Sequence, residues 1–263
     1  MKNFVLSTMV CALLCSAAIF ADTDAFPLRK AYPQVTVIST EQLIDQYNNI
    51  ISIDVRSKLE FDVIHMQGAL HVPVARIDFE KNIKRLNENK PIVFYCNGVT
   101  CAKSYKAAIR MLNKGYSNVK VYDAGIFAWA KANPQKSVLL SESPVNPEKM
   151  ISQSHFLNKN ISFGKFREMA KSKQAMIVDI REPYQRLHSR ATKLDFGDVP
   201  VRNFPSDKFL SVIVKPGNFK DRQLLIADAV GKQVRWLQYY LERFGYTNYY
   251  FLQGGAKAIE VKS

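Results

Sequence analysis

The stretch that decides the fold is residues 91–101, which read PIVFYCNGVTC. A strand-forming run over 91–95 leads directly into a cysteine, and a helical pattern over 102–114 follows at once. A continuous apolar strand followed by a helix is typical of a parallel sheet covered on both faces. Ligand sites in such sheets lie beyond the carboxyl ends of the strands. In this sequence that position is held by Cys96.

Short apolar runs elsewhere in this half of the chain predict further strands at 34–38, 51–54 and 119–122. Ser39 is expected to cap a helix through Asn48, and Gln42 three residues later completes a possible capping box. The alternation of strands and helices predicts an α/β fold with a mainly parallel sheet and helices on both faces.

The same order of landmarks occurs twice along the chain. The segment GYSNV at 115–119 returns as GYTNY at 245–249, and IDVR at 53–56 returns as VDIR at 178–181. Repetition at this spacing indicates two copies of one structural unit. A chain of 263 residues is long enough for two domains of about 110–130 residues each.

The predicted domains are residues 32–132, which contain the cysteine loop, and residues 151–263. Between them, residues 133–150 are polar and contain three prolines, a composition that predicts a linker.

Residues 1–21 have the pattern of a secretory signal, with Lys2, an apolar run over 4–20 and a small residue, Ala21, before a polar stretch. We expect cleavage after Ala21, while cleavage after Ala18 is an alternative. The protein is therefore expected to be exported to the periplasm, or else held at the membrane by an uncleaved signal.

The composition excludes some classes of protein, and the net charge favours some classes of ligand. Hydrophobic residues make up 47% of the chain and charged residues 23%, which excludes a disordered or fibrous protein. The 37 basic and 23 acidic residues give a net charge of +14, which favours anionic ligands or acidic partners. For an exported protein we expect no nucleic-acid partner, and no membrane contact beyond the signal segment.

Two of the four cysteines, Cys11 and Cys15, fall inside the predicted signal, so the mature chain keeps Cys96 and Cys101. In an oxidising compartment these two form either one local disulfide or a reactive site. The four histidines show no metal-ligand spacing with them, so no metal site is expected.

The loop that follows Cys96 lies between a predicted strand and a predicted helix, a position typical of anion-binding loops. Successive main-chain N–H groups between a strand and a helix can hold negative charge, and they favour the thiolate of a nearby cysteine. We expect Cys96 to be exposed among these donors, with Gly98 permitting the tight backbone path. The predicted binding loop comprises Asn97, Gly98, Val99, Thr100 and Cys101.

An ordered set of motifs gives the chain a resemblance to a known family. The motifs are DVR at 54–56, EF at 60–61, HMQGA at 65–69, VP at 72–73, VFYC at 93–96 and AW at 128–129. Together they resemble the rhodanese (sulfurtransferase) superfamily, well over 34–129 and more weakly over 160–258. The resemblance implies two tandem rhodanese-like domains, a persulfide intermediate with Cys96 as the nucleophile, and no dissociable cofactor.

The second copy departs from this pattern at the decisive position, where Asp228 stands in place of a cysteine. A carboxylate carries no sulfur and repels an anionic donor. We therefore expect the second domain to be catalytically silent, with Asp228 a solvated residue at a helix N-terminus.

The leading hypothesis is an exported sulfurtransferase that moves sulfane sulfur from thiosulfate, polysulfide or a persulfide to cyanide or a thiol, which includes a protein thiol. The alternatives are a non-catalytic sulfur-carrier or binding module, and a dithiol redox protein that uses Cys96 and Cys101. Cys101 itself is open to three interpretations: a resolving thiol, a structural disulfide partner or a bystander. The loop carries no basic side chain, although Lys103 and Lys106 follow it on the helix.

Several charged and aromatic residues are predicted to be structural. The pairs Asp54 with Arg56 and Asp179 with Arg181 are expected to be charge pairs, His65 a packed, hydrogen-bonded ring, and Trp129 a core residue.

Overall fold

A computed structural model describes residues 25–86, 90–189 and 192–260. The predicted signal, with Cys11 and Cys15, lies outside these residues. Within the described residues, no helix combines the length and the apolar character needed to cross a membrane.

The chain divides into two compact units, residues Met1–Val145 and Asn146–Ser263. The strands of the first unit are β1 Ile51–Asp54, β2 Ile64–Met66, β3 Leu70–His71, β4 Ile92–Tyr95, β5 Val119–Tyr122 and β6 Ser137–Leu139. Its helices are α1 Pro27–Ala31, α2 Thr40–Asp45, α3 Lys58–Val63, α4 Phe79–Ile83, α5 Lys103–Leu112 and α6 Gly125–Ala132.

Four strands of the first unit form a wholly parallel sheet in the order β3-β1-β4-β5. The strand expected at 34–38 is reduced to one parallel bridge from Val37 to Val121 on the outer side of β5. Helix α5 packs against β4 and β5. The carboxyl end of β4 therefore lies in the interior of the sheet, where both neighbouring strands flank it.

The helix boundaries follow the capping signals in the sequence. The side chain of Ser39 accepts a hydrogen bond from the Gln42 amide, and Gln42 in turn accepts from the Ser39 amide, so the predicted capping box is confirmed. The helix is shorter than the expected 39–48, because α2 ends at Asp45 and a 3-10 turn over Tyr47–Asn49 follows.

The second unit repeats this architecture. Its strands are β7 Asn160–Ile161, β8 Ala175–Asp179, β9 Val201–Asn203, β10 Gln223–Ala227 and β11 Tyr249–Leu252. Its helices are α7 Gln153–Asn158, α8 Phe163–Ala170, α9 Pro183–Leu187, α10 Ser206–Ile213, α11 Val234–Arg243 and α12 Lys257–Glu260. The sheet is parallel throughout, in the order β7-β11-β10-β8-β9.

The two sheets share one strand order, since β11, β10, β8 and β9 correspond to β5, β4, β1 and β3, and β7 takes the place of the Val37 bridge. The predicted fold class, α/β with two mainly parallel sheets accompanied by helices, is confirmed.

The structure differs from the prediction in the segment expected to be a linker, residues 133–150. Strand β6 lies in this segment and pairs antiparallel with β2, and the amide of Val145 donates to the carbonyl of Pro134. The boundary between the units falls after Val145. The prolines that suggested a linker therefore belong largely to a folded edge of the first unit.

Candidate functional site

Cys96 is the first residue after β4, at the carboxyl edge of the first sheet. Its carbonyl accepts a hydrogen bond of 3.0 Å from the amide of Ile126, which ties the strand end to the start of α6. Residues 97–102 then form a tight loop, and α5 begins at Lys103. The strand, the loop and the helix succeed one another as the sequence predicts.

Cys96 is joined to Cys101 by a disulfide bond. Cys96 is only 1% exposed and belongs to the hydrophobic core of the first unit, while Cys101 is half-buried against that core. The expectation of an exposed Cys96 is therefore wrong for this disulfide form, in which the residue lies in the hydrophobic core. The pairing also excludes the bystander interpretation of Cys101.

The main-chain N–H groups of the loop differ in their hydrogen bonding. The N–H groups of Asn97, Gly98, Val99 and Thr100 have no hydrogen-bond partner within the described part of the chain, whereas the amide of Cys101 donates to the carbonyl of Gly98 at 2.8 Å. Four unpaired amides next to a sulfur atom form the kind of donor set that holds an anion.

A buried ion pair lies next to the cysteine loop and is hydrogen-bonded to its first residue after Cys96. Arg56 and Asp54 are both fully buried, with Arg56 Nη2 2.6 Å from Asp54 Oδ2, so this predicted charge pair is present. Asp54 ends β1, the strand next to β4. Arg56 also donates from Nη1 to Asn97 Oδ1 at 3.0 Å, and this bond fixes the first residue of the loop after Cys96.

Glu60 also belongs to the site, although its place in the motif EF at 60–61 predicted no role for it. It accepts from Asn97 Nδ2 at 2.5 Å and from Lys103 Nζ at 3.0 Å, and thereby connects the two ends of the loop. Burial alone would raise the pKa of the Glu60 carboxyl, but the charges of Lys103 and Arg56 and the Asn97 hydrogen bond lower it to about 2. Glu60 is therefore an anion at any physiological pH.

The sequence contains a capping-box pattern at Glu60, but this pattern does not identify Glu60 as a residue of the site. Glu60 stands three residues after Ser57 and completes a capping box at the start of α3, in which it accepts from the Ser57 amide at 2.9 Å. The capping pattern predicts a helix start and gives no reason to expect that the same carboxylate reaches a loop 37 residues later.

Asp228 occupies the place of Cys96 in the second unit. It directly follows β10, and its carbonyl accepts from the amide of Ala256 at 2.8 Å, as that of Cys96 does from Ile126. Each of these amides follows a glycine with positive φ, Gly255 in the second unit and Gly125 in the first. Asp228 is thus the positional counterpart of Cys96, as the sequence repeat predicts.

The carboxylate of Asp228 is not solvated, contrary to expectation, because it is only 1% exposed. It accepts main-chain hydrogen bonds from Val230, Gly231, Gln233 and Val234, at 3.1 Å for Val230 and 2.6 Å for Gln233. Burial raises the pKa of this carboxyl even though the four amides favour its ionised form. The loop of the second unit thus closes on a carboxyl group that the chain itself supplies.

The remaining predicted structural residues lie where their interpretation places them. Arg181 and Asp179 form a fully buried ion pair of 2.8 Å, and Arg181 Nη1 donates to Ser189 Oγ at 3.2 Å. His65 bonds through Nδ1 to the carbonyl of Phe61, and Trp129 is fully buried. Across residues 25–86, 90–189 and 192–260, no cluster of three or more His, Cys, Asp or Glu side chains is arranged to hold a metal ion.

Comparison with known proteins matches residues 37–132 to the rhodanese-like domain family. "Probable adenylyltransferase/sulfurtransferase MoeZ" of Mycobacterium tuberculosis is 31% identical over 88 residues, which are 34% of this chain and 22% of that protein. The tRNA uridine(34) hydroxylase of Photorhabdus laumondii is 27% identical over 115 residues, which are 42% of this chain and 32% of that protein. The chain thus spans less than a third of the length of each.

Among solved structures, a thiosulfate sulfurtransferase from Pseudomonas aeruginosa is 16% identical, with a TM-score of 0.39, over 87% of this chain and 42% of that one. The matched family segment, 37–132, contains β1, β3, β4 and β5, Cys96 and its loop, and the network around Glu60. Residues 37–132 of this chain therefore match a rhodanese-like domain.

Proposed function

We propose that this chain is an exported sulfurtransferase that moves sulfane sulfur from thiosulfate, polysulfide or a persulfide to a thiol or cyanide through a persulfide on Cys96. The observation that carries the proposal is the position of Cys96 at the end of β4, next to four loop amides that have no partner among the described residues. A sulfurtransferase relative that aligns with about a third of the chain supports the same chemistry.

Reduction of the disulfide by an external dithiol, which becomes a disulfide itself, is the first step, because the sulfur of Cys96 is bonded to Cys101. The Cys96 thiolate then attacks the outer sulfur of the donor, and a thiosulfate donor leaves as sulfite. The negative charge on the new outer sulfur is stabilised by the amides of residues 97–100. An acceptor thiolate or cyanide finally takes the outer sulfur and returns Cys96 as a thiolate.

The second unit has no part in this chemistry. Asp228 has no sulfur to transfer, and its carboxylate already accepts the four main-chain hydrogen bonds that an anionic donor would need. One sulfur is therefore bound per chain, at Cys96.

The test is turnover of reduced protein with thiosulfate and cyanide, with thiocyanate as the measured product. Cys96→Ser is expected to abolish turnover, while Ser117→Ala, at an exposed position outside the loop, leaves it close to that of the unaltered protein. Undiminished turnover in Cys96→Ser would refute the assignment of the nucleophile.

A dithiol redox protein is the second candidate function, and the Cys96–Cys101 disulfide is the observation that favours it. It predicts catalysed reduction of a small disulfide in the absence of any sulfane donor, with loss of that activity in Cys101→Ser. Sulfur transfer in Cys101→Ser without any disulfide reductase activity in the unaltered protein would exclude this candidate.

Export is part of the proposal and has its own test. Expression of the full chain in a Gram-negative host is expected to yield a periplasmic protein whose mass corresponds to loss of residues 1–21. A cytoplasmic protein of full mass would contradict export, and a full-mass protein in the membrane fraction would support the uncleaved anchor.

A further inference from the structure

Cys96 and Cys101 stand at the two ends of one short loop. Cys96 and Cys101 are five residues apart, their Cα atoms are separated by 6.2 Å, and this separation lies within the ordinary range for a disulfide. The loop that holds the four unpaired amides is the same loop that brings the second sulfur back to the first. A sulfur bound on Cys96 is therefore formed within reach of Cys101.

Cys96 and Cys101 differ in their exposure to solvent. Cys96 is 1% exposed and lies in the core, whereas Cys101 is half-buried at the start of the helical turn that precedes α5. Because an external thiol attacks the sulfur that it can reach, a reductant opens this disulfide at Cys101. The leaving thiolate is then Cys96, which departs next to the loop amides.

We propose that Cys101 is a resolving thiol that discharges the Cys96 persulfide, releases its outer sulfur as hydrosulfide and forms the disulfide seen in the structure. The inference rests on the proposed function, since it requires the persulfide. It adds an activity, reductive release of sulfide, and a class of partner, a reducing dithiol such as a protein with a paired-cysteine site.

The step balances as a thiol–persulfide exchange. The thiolate of Cys101 attacks the inner sulfur, Cys96 Sγ, so the bond from Cys96 Sγ to Cys101 Sγ forms and the bond from Cys96 Sγ to the outer sulfur breaks. The outer sulfur leaves with the bonding electron pair, takes one proton from water and is thereby released as hydrosulfide. The two cysteines are oxidised to the disulfide, and the external dithiol restores them by becoming a disulfide itself.

This step competes with transfer to cyanide or to a monothiol. Those acceptors take the outer sulfur and leave Cys96 reduced, whereas attack by Cys101 on the inner sulfur leaves the site oxidised and inactive until a dithiol opens it. The disulfide form is therefore the spent state of the cycle, which explains why Cys96 is bonded and buried in it.

The experiment uses fully reduced, desalted protein that receives one equivalent of thiosulfate without an acceptor, because thiosulfate leaves as sulfite and adds no sulfide of its own. Released sulfide and intact mass are measured for the unaltered protein, Cys101→Ser, Cys101→Ala and the control Ser117→Ala, which lies at an exposed position outside the loop. We expect one sulfide per chain and a mass about 2 Da below the dithiol form for the unaltered protein and Ser117→Ala, and about 32 Da added without sulfide release for both Cys101 variants.

The inference is overturned if the unaltered protein retains the added sulfur with Cys101 still alkylatable, or if the sulfur is found on Cys101. The proposed function fails in a different way, by absence of any adduct in both Cys101 variants with every donor. Two variants are used because a folding defect in one, detected by its circular dichroism spectrum, leaves the other to decide.

Discussion

Gly125 lies directly against the backbone of Gly98: a methyl group on Gly125 would come within 2.3 Å of the Gly98 nitrogen and 2.4 Å of its Cα. Gly125 also has a φ of +80°, a conformation that side-chain-bearing residues rarely adopt. The first residue of α6 therefore packs directly against the backbone of the cysteine loop. The shape of the loop depends on the absence of a side chain at residue 125.

Gly125→Ala is expected to destabilise the first unit by about 2–5 kcal/mol, through backbone strain and displacement of the loop, and to lower sulfur transfer. The measurement is urea unfolding together with turnover. Gly68→Ala is the matched control, because Gly68 has a φ of +75° and no atom within 4 Å of an added methyl group. Equal loss of activity in both variants would contradict the role assigned to the Gly125 contact.

The Glu60 carboxylate is expected to make the free energy of unfolding of the first unit fall at low pH. Its folded pKa of about 2 lies below the ordinary value of 4.5, so its contribution is complete above about pH 5 and is lost as the pH falls towards 2. The difference corresponds to about 3 kcal/mol. Glu60→Gln is expected to lower stability at neutral pH and to flatten this part of the curve, as measured by urea unfolding at several pH values.

Asp62→Asn provides the comparison, because Asp62 lies on the same helix with its side chain 36% exposed and paired only with Lys58. It should leave the acid dependence nearly unchanged. If Glu60→Gln retained the full acid dependence of the unaltered protein, the Glu60 network would not be its source.

Lys103 supplies the cation that the loop itself lacks. Its side chain is 44% exposed, and Glu60 holds it beside the first loop residue. Lys103→Gln is expected to raise KM for thiosulfate about 5-fold with little change in kcat, as a half-exposed charge worth about 1 kcal/mol would do. Lys106→Gln makes the same charge change at an exposed position on the same helix, and equal effects of both would show that only overall charge matters.

Asp228 makes a prediction for the second unit. Asp228→Ala leaves four main-chain amides without their acceptor and is expected to lower the free energy of unfolding by about 2–5 kcal/mol. Because the emptied cradle suits an anion, sulfate should raise the Tm of this variant more than that of the unaltered protein, with chloride at equal ionic strength as the reference. An equal sulfate effect on Asp221→Ala, which alters an exposed carboxylate, would argue against a cradle.

The sequence predicts those features that depend on neighbouring residues. The apolar runs locate β1, β4 and β5 to within a residue, and the Ser39 capping box marks the start of α2. The repeated motifs predict that Asp228 stands where Cys96 does, because equivalent segments follow equivalent strands.

Contacts between distant segments are what the sequence does not reveal. The bonds from Glu60 to Asn97 and Lys103 span 37 and 43 residues, and local patterns give no account of them. The burial of Asp228 was missed for a related reason, since an aspartate before a helix is equally compatible with a solvated cap and with a loop folded back on its own carboxylate. The pairing of Cys96 with Cys101 was left open because spacing alone does not distinguish a disulfide from two free thiols.

The most direct test of the central claim is the location of bound sulfur in reduced Cys101→Ser after exposure to thiosulfate, polysulfide or a low-molecular-weight persulfide. Alkylation, digestion under acidic conditions and tandem mass spectrometry identify the modified residue. We predict about 32 Da added to the peptide at Cys96 in the folded protein, and removal of this mass by cyanide. A Cys96 that stays unmodified with all three donors, in protein shown to be reduced and folded, would contradict the account.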